Sequence, residues 1–206
     1  MNSLRLPRGP ITADEAVRLK EEMLRSDPEY RSQVEAAEAE RNERARILHD
    51  AERAIVEDLA GVGVEVDSVW DLVNSSEPYP DALPVLMGHL ERGGYPDRVM
   101  ESIGRALAVK PSVVFWDRLK SRWLNARGPG EEDGAAVALA ACATRGQFDD
   151  LVAFLSAEER GQSRIYFIRP ILKVGGDHGL AVVEALQGDP VFGKEATALL
   201  KRRRRK

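Results

Sequence analysis

Cysteine, histidine and long apolar runs are all scarce in this chain of 206 residues, and each scarcity excludes a class of protein. The single cysteine, Cys142, excludes an intramolecular disulfide and a zinc site built from several cysteines. None of the three histidines has another histidine or a cysteine at ligand spacing, so we expect no metal and no cofactor. The longest apolar run, 135–143, is much shorter than the roughly 20 residues that cross a bilayer. Residues 1–7 lack the apolar segment of a signal peptide, and we expect a cytoplasmic protein without membrane contact.

Charge is distributed unevenly along the chain. With 43% hydrophobic and 31% charged residues, the sequence is typical of one folded domain with or without an appendage. The net charge is −4, but residues 201–206 contribute six positive charges, which leaves −10 on the other residues. The pattern to explain is therefore an acidic body with a basic tail. The abundance of arginine, alanine and glycine is typical of a bacterial protein.

The N-terminal part is predicted as a flexible lead over 1–11 and a helical hairpin over 12–60. Thr12 and Glu15 have the spacing of a capping box, in which each side chain accepts a hydrogen bond from a backbone N–H at the helix start. Asp27 and the proline after it suit the end of this helix and the start of the next.

The second helix is predicted over 28–60, a span without any helix breaker. Two arginines interrupt its apolar stripe midway, so we expect the C-terminal half to pack and the N-terminal half to lie in solvent. Two interpretations stay open for this helix: a coiled-coil homodimer, or a solvated helix that packs on its own chain. A linker over 61–80 follows, with one short helix capped by Asp67.

The region 81–200 repeats a short amphipathic pattern. Its predicted helices are 82–92, 96–109, 112–126, 132–144, 147–157, 162–174, 178–187 and 191–204. Taken as four pairs, the first helices carry leucines spaced 34, 31 and 31 residues apart: Leu90, Leu124, Leu155 and Leu186. The second helices carry apolar triplets at i, i+3 and i+4. Units of this size cannot bury an apolar face alone, so they must stack on their neighbours.

This pattern resembles HEAT and armadillo-type repeats over residues 80–206. The resemblance implies an all-α fold, a HEAT-like solenoid of about four helix pairs preceded by a long N-terminal helix. It also implies that the second helix of each pair lines the concave face. Tetratricopeptide repeats have a similar period, but their tryptophan–glycine–tyrosine signature is absent at the matching places.

No set of side chains converges on a catalytic pattern, so we expect no catalytic residue. Cys142 lies among alanines and is interpreted as a buried core residue. The run 175–179 lacks the Lys-Ser/Thr ending of a P-loop and is interpreted as a helix end, with Asp177 capping the next helix. The carboxylates at 131–133 and 149–150 suit the first turns of helices.

Two aromatic and basic stretches are candidates for partner contact. Trp116 and Trp123 share a face that is predicted to pack in the core, with arginines beside it. In the third pair, the apolar positions are predicted to turn Arg164 and Arg169 away from the core, and Pro170 is predicted to kink the helix. The candidate partner-binding residues are Arg98, Glu101, Arg105, Arg118, Arg122, Arg164, Arg169 and Lys173.

Two functions are compatible with these patterns. The first is a noncatalytic scaffold that binds a protein partner. The alternative is nucleic-acid binding through the basic tail, which consists of Lys201, Arg202, Arg203, Arg204, Arg205 and Lys206. Some HEAT-like bacterial proteins are DNA glycosylases with aromatic and acidic side chains in a basic cleft, and Trp116, Asp117, Arg118 and Trp123 resemble that set. The net −10 charge of the body opposes a nucleic-acid groove.

Overall fold

A computed structural model describes residues 11–204, and every regular element in that range is helical, which confirms the all-α class. The α-helices are α1 (Ala13–Ser26), α2 (Pro28–Ala60), α3 (Val69–Asn74), α4 (Ala82–Arg92), α5 (Asp97–Ala106), α6 (Trp116–Leu124), α7 (Pro129–Cys142), α8 (Phe148–Phe154), α9 (Ile168–Val174), α10 (Gly176–Ala185) and α11 (Gly193–Arg203). Short 3-10 helices are Lys110–Phe115, Arg145–Gln147, Glu158–Phe167 and Leu186–Gly188. None of the helices within 11–204 has both the length and the apolar character needed to cross a bilayer. The predicted lead, apart from residue 11, and the tail residues Arg205 and Lys206 lie outside the described residues.

The chain divides into two compact units, Met1–Ile47 and Leu48–Lys206, and the division falls inside α2. In the first unit the predicted capping box between Thr12 and Glu15 is present at the start of α1. Asp27 separates α1 from α2, and its carboxylate accepts two backbone N–H groups from the first turn of α2, each at 3.0 Å. No described residue of this unit is buried.

The core of the second unit contains a cluster of aromatic rings from three helical segments. The ring of Trp123 lies 4.8 Å from that of Phe154 and 4.9 Å from that of Phe167, and Trp116 stacks on Phe154. The predicted burial of Trp116 and Trp123 is therefore confirmed. Leu124, in contrast, is 37% exposed, and the adjacent indole of Trp123 is the buried side chain at this point of α6.

Helix contacts in the second unit follow the order of the chain. Helices α4, α6, α8 and α10 each pack on the helix after them, namely α5, α7, α9 and α11. Those later helices also contact one another in series, α5 with α7, α7 with α9, and α9 with α11, while α3 packs on α5. Helices α5 and α7 approach closely where two glycines, Gly104 and Gly134, face each other without side chains.

The N-terminus of α7 is capped from α5 rather than from its own chain segment. The carboxylate of Asp97 accepts the backbone N–H of Gly130 at 2.8 Å and that of Glu131 at 3.3 Å. These N–H groups have no carbonyl partner within their own helix, so the carboxylate satisfies donors that would otherwise need water.

We predict that Asp97→Ala lowers the free energy of unfolding by about 1–2 kcal/mol, as expected for loss of an N-cap. Asp81→Ala is the matched control, because Asp81 occupies the N-cap position of α4 without any side-chain capping bond. The control should stay within about 0.5 kcal/mol of the parent protein. Urea denaturation of both variants measures the difference. Equal stability of the two variants would contradict the inter-helix cap.

Three local predictions are wrong. Ser68, not Asp67, is the N-cap of α3, because its hydroxyl accepts the first-turn N–H. Pro170 does not kink a continuous helix, because α9 begins only at Ile168 and a first-turn residue needs no N–H bond within its helix. Helix α10 begins without a side-chain cap, so Asp177 is a first-turn residue and not an N-cap.

Candidate functional site

Three of the predicted contact residues lie on α5 and form one ion-pair cluster. The carboxylate of Glu101 accepts hydrogen bonds from Arg98 at 2.6 Å and from Arg105 at 2.7 Å. Burial alone would raise the pKa of Glu101, but the hydrogen bonds from the two arginines hold it below the usual value for glutamate. Arg98 also lies 4.3 Å above the ring of Trp70. One ionised carboxylate thus serves two cations, so both arginines of this cluster are paired.

The two predicted arginines on α6 are paired as well. Arg118 donates two hydrogen bonds to the carboxylate of Glu91, at 2.7 and 2.5 Å, and these bonds lower the pKa of Glu91. Arg122 binds Glu131, whose side chain is only 4% exposed. Both arginines therefore connect helices of this unit through their own carboxylate partners.

Arg164 lies inside the protein, and the prediction that it turns away from the core is wrong. Its residue is 9% exposed, and its guanidinium donates to the carbonyl oxygens of Leu155 and Gly161, each at 2.8 Å. Gly161 interrupts the 3-10 segment with φ 52°, which directs the chain so that Arg164 points inward. The side chain also lies over the ring of Phe192. Its role is to satisfy backbone carbonyls at the end of one helix.

Arg169 and Lys173 differ from the other six candidates because both are exposed and unpaired. They lie one turn apart on α9. No carboxylate within residues 11–204 comes within the ion-pair distance of 4.0 Å of either side chain. The same is true of two residues of the predicted basic tail, Arg202 and Arg203, in the last turn of α11.

These four cations line a single open groove between α7, α9 and α11, with a volume of about 620 Å³. This surface is hereafter the cationic groove. Its apolar floor consists of Ala140, Ala141, Pro170, Leu172 and Leu199. None of the described residues that line it is acidic. The groove therefore combines positive charge at its rim with apolar surface at its floor.

The cationic groove brings together two groups of residues that were predicted separately, the partner-binding candidates on α9 and the basic tail on α11. Leu172 lies at one of the apolar positions of the third helix pair, but it is only partly buried and forms part of the floor. One signal in the sequence did indicate the rim: Arg169, Arg202 and Arg203 have no acidic residue three or four positions away. Arg105, in contrast, has Glu101 four positions before it and is paired. The convergence of α9 with α11 required the tertiary structure.

The chemistry of the groove suits an anionic ligand with an apolar portion. No family model, curated protein or solved structure matches the chain. Function is therefore inferred from the groove itself. Guanidinium groups bind carboxylates and phosphates through parallel hydrogen bonds, and the apolar floor favours contact with aliphatic side chains.

Other reactive side chains of the second unit have structural surroundings. Burial raises the pKa of the Cys142 thiol to about 11, which agrees with its predicted place in the core. His89 is buried between Asp58 and Tyr95, at 2.9 and 2.6 Å from its two ring nitrogens, and burial lowers its pKa. The described residues contain no group of three or more histidine, cysteine or acidic side chains placed to hold a metal ion.

The carboxylates of Glu131, Glu132, Asp149 and Asp150 lie in the first turns of α7 and α8, as predicted, whereas Asp133 lies beyond the first turn of α7. Two of these carboxylates also connect helices. Asp150 accepts hydrogen bonds from the indole N–H of Trp116 at 2.7 Å and from Lys120 at 2.5 Å. Glu131 binds Arg122 and the backbone N–H of Arg127. Their negative charges are thus used within the fold.

Proposed function

We propose that this chain is a noncatalytic binding protein whose helix pairs stack as HEAT-like repeats and whose cationic groove holds an acidic segment of a protein partner. The single observation that carries the proposal is the convergence of four unpaired cations on an apolar floor. Unpaired like charges repel one another, so an acidic ligand relieves a repulsion that the fold leaves uncompensated.

The contact pattern supports the stacked arrangement. Each predicted helix pair is in contact, and the second helices contact one another in chain order. In HEAT-like stacking, second helices share a face, and the cationic groove lies between three of them, α7, α9 and α11. A groove on such a face suits an extended or helical segment of a partner protein.

Two observations favour an acidic protein over nucleic acid. The floor is apolar, which suits aliphatic side chains, whereas a phosphate backbone needs an extended basic surface. The cations on α5 and α6 that would extend such a surface are bound to Glu101, Glu91 and Glu131. Nucleic acid remains the second candidate because the charged run of the tail continues beyond Arg203.

We predict that Arg202→Ser with Arg203→Ser weakens binding of a glutamate- and leucine-containing peptide on the order of tenfold. Two exposed charge contacts together are worth ~1.4 kcal/mol, which corresponds to that factor. The matched control is Arg41→Ser with Arg44→Ser, which removes the same charge from exposed residues of α2 outside the groove. Fluorescence anisotropy measures the affinity.

The same titration with single-stranded DNA of equal net charge distinguishes the two candidates. The proposal expects the peptide to bind more tightly than the DNA, because only the peptide offers leucines to the floor. Tighter DNA binding that falls with the same double variant would establish the nucleic-acid alternative instead. No peptide binding, or an equal loss in the α2 control, would refute the proposed groove.

A further inference from the structure

A second groove, opposite in charge, lies in the connection between α2 and α4. It has a volume of about 460 Å³ and an apolar surface that includes Val62, Val64 and Tyr79. Its acidic lining residues are Glu65, Asp71, Glu77 and Asp81. None of the described residues that line it is a lysine or an arginine. This surface is hereafter the acidic groove. Like the cationic groove it has an apolar floor, but its charged residues are negative instead of positive.

Three of these carboxylates have no partner within the described part of the chain. Asp71 accepts backbone N–H groups at the start of α3. The side chains of Glu65, Glu77 and Asp81 are exposed and make no hydrogen bond or ion pair within residues 11–204.

Several acidic residues of the first unit are placed differently. Glu21 and Glu40 each lie four positions before an arginine on the same helix and pair with it. The acidic groove thus carries three carboxylates that no cation of the described residues compensates.

The two grooves lie at the two ends of the helix series in the second unit. Residues of α3 line the acidic groove, and α3 packs on α5 at the start of the series. Residues of α9 and α11 line the cationic groove at its end. Helix α7 also contributes to the cationic groove, so α5 alone separates the two grooves in this order of contacts, and the two complementary surfaces lie on different helices of one chain.

We propose that the acidic segment held by the cationic groove is the acidic groove of a second copy of this chain, so that copies associate head to tail. This inference rests on the proposed function of the cationic groove and names its partner. Carboxylates such as Glu65 and Glu77 would bind Arg202 and Arg203, while the valines pack on the apolar floor. The contact is heterologous, so each assembly keeps one free groove at each end and grows with concentration. Exposed ion pairs are screened by salt, so salt weakens the association.

Sedimentation velocity of the full chain at increasing concentration, in low and high salt, tests this proposal. The parent protein is expected to show assemblies that grow with concentration and dissociate in high salt. The dissociation constant of the assembly should rise on the order of tenfold in each of two variants, Arg202→Ser with Arg203→Ser and Glu65→Gln with Glu77→Gln. The substituted side chains are exposed, so folding should be preserved.

Mixing the two variants gives the sharpest result. The first variant keeps its acidic groove and the second keeps its cationic groove, so one intact junction forms between them. At a concentration above the dissociation constant of the parent protein but below that of either variant, we expect a one-to-one complex that grows no further, although each variant alone is monomeric there. A mixture that stays monomeric where the parent associates would overturn the proposal. Association that persists in both variants would also overturn it, and would point to residues 28–60 as the dimer contact.

The outcome separates this inference from the function on which it rests. A parent protein that is monomeric at every concentration, yet binds the glutamate- and leucine-containing peptide, refutes self-association and leaves the binding function intact. A parent protein that neither associates nor binds the peptide refutes both.

Discussion

Gly104→Ala is expected to lower the free energy of unfolding by about 2–3 kcal/mol, which is the upper range for overpacking a tightly packed interior. A Cβ at this position would lie 2.4 Å from the carbonyl carbon and 2.6 Å from the Cα of Gly134. Both are backbone atoms, so no side-chain rotation relieves the clash, and α5 must move away from α7. These two helices lie in the middle of the contact series, so the shift disturbs packing on both sides.

Gly88→Ala is the matched control for this prediction. Gly88 lies inside α4, and a Cβ there would meet no atom within 4 Å. Alanine loses less conformational entropy in a helix than glycine, so this control should be more stable by about 0.5–1 kcal/mol. Urea denaturation of both variants measures the contrast in sign. A Gly104→Ala protein as stable as the Gly88→Ala protein would show that α5 and α7 do not approach so closely.

Glu131→Gln should cost about 3 kcal/mol, because it leaves the charge of Arg122 without a carboxylate in a buried position. The side chains of the two residues are 4% and 17% exposed, and the Nε of Arg122 is buried without a hydrogen-bond partner. Glutamine has nearly the same shape as glutamate, so the loss of stability comes from the missing negative charge and not from a cavity. The pair joins α6 to α7, and its loss loosens that contact.

The exposed pair of the neighbouring arginine provides the control for Glu131→Gln. Glu91 binds Arg118 with side chains that are 40% and 44% exposed. The same substitution, Glu91→Gln, should cost less than about 1 kcal/mol, because water solvates both charges. Thermal denaturation of the two variants at equal salt measures the difference. Equal losses of stability would contradict the buried character of the pair between α6 and α7.

Local chemistry was enough to predict where α1 begins and where α1 gives way to α2. The capping box of Thr12 and Glu15 and the single residue Asp27 between two helices act over a few positions, so they can be recognised in the sequence. The burial of Trp116 and Trp123 follows from helical spacing, which is also a local property. The spacing also aligned Leu124 with Leu90 and Leu155, but Leu124 is 37% exposed while the adjacent Trp123 is buried, so the leucine spacing did not indicate burial at this position.

Whether each arginine is paired, buried or free depends on the tertiary structure and could not be predicted from the sequence. Arg118 is paired with Glu91, 27 positions away, and Arg164 turns inward because a glycine in an unusual backbone conformation precedes it. Neither contact has a periodic signature. Arg169 and Arg202 are far apart in the chain and meet only because α9 packs on α11. The sequence therefore predicted candidates, and tertiary packing decided which of them are free to bind.

The most direct test of the cationic groove is to observe its apolar floor by methyl NMR of the full chain during titration with the glutamate- and leucine-containing peptide. The account predicts shifts at the methyl groups of Leu172, Leu199 and Ala140, with an affinity that falls as salt is added. The Arg202→Ser, Arg203→Ser protein should require on the order of tenfold more peptide for the same shifts. Shifts confined to methyl groups outside the groove, or none at saturating peptide, would contradict the central claim.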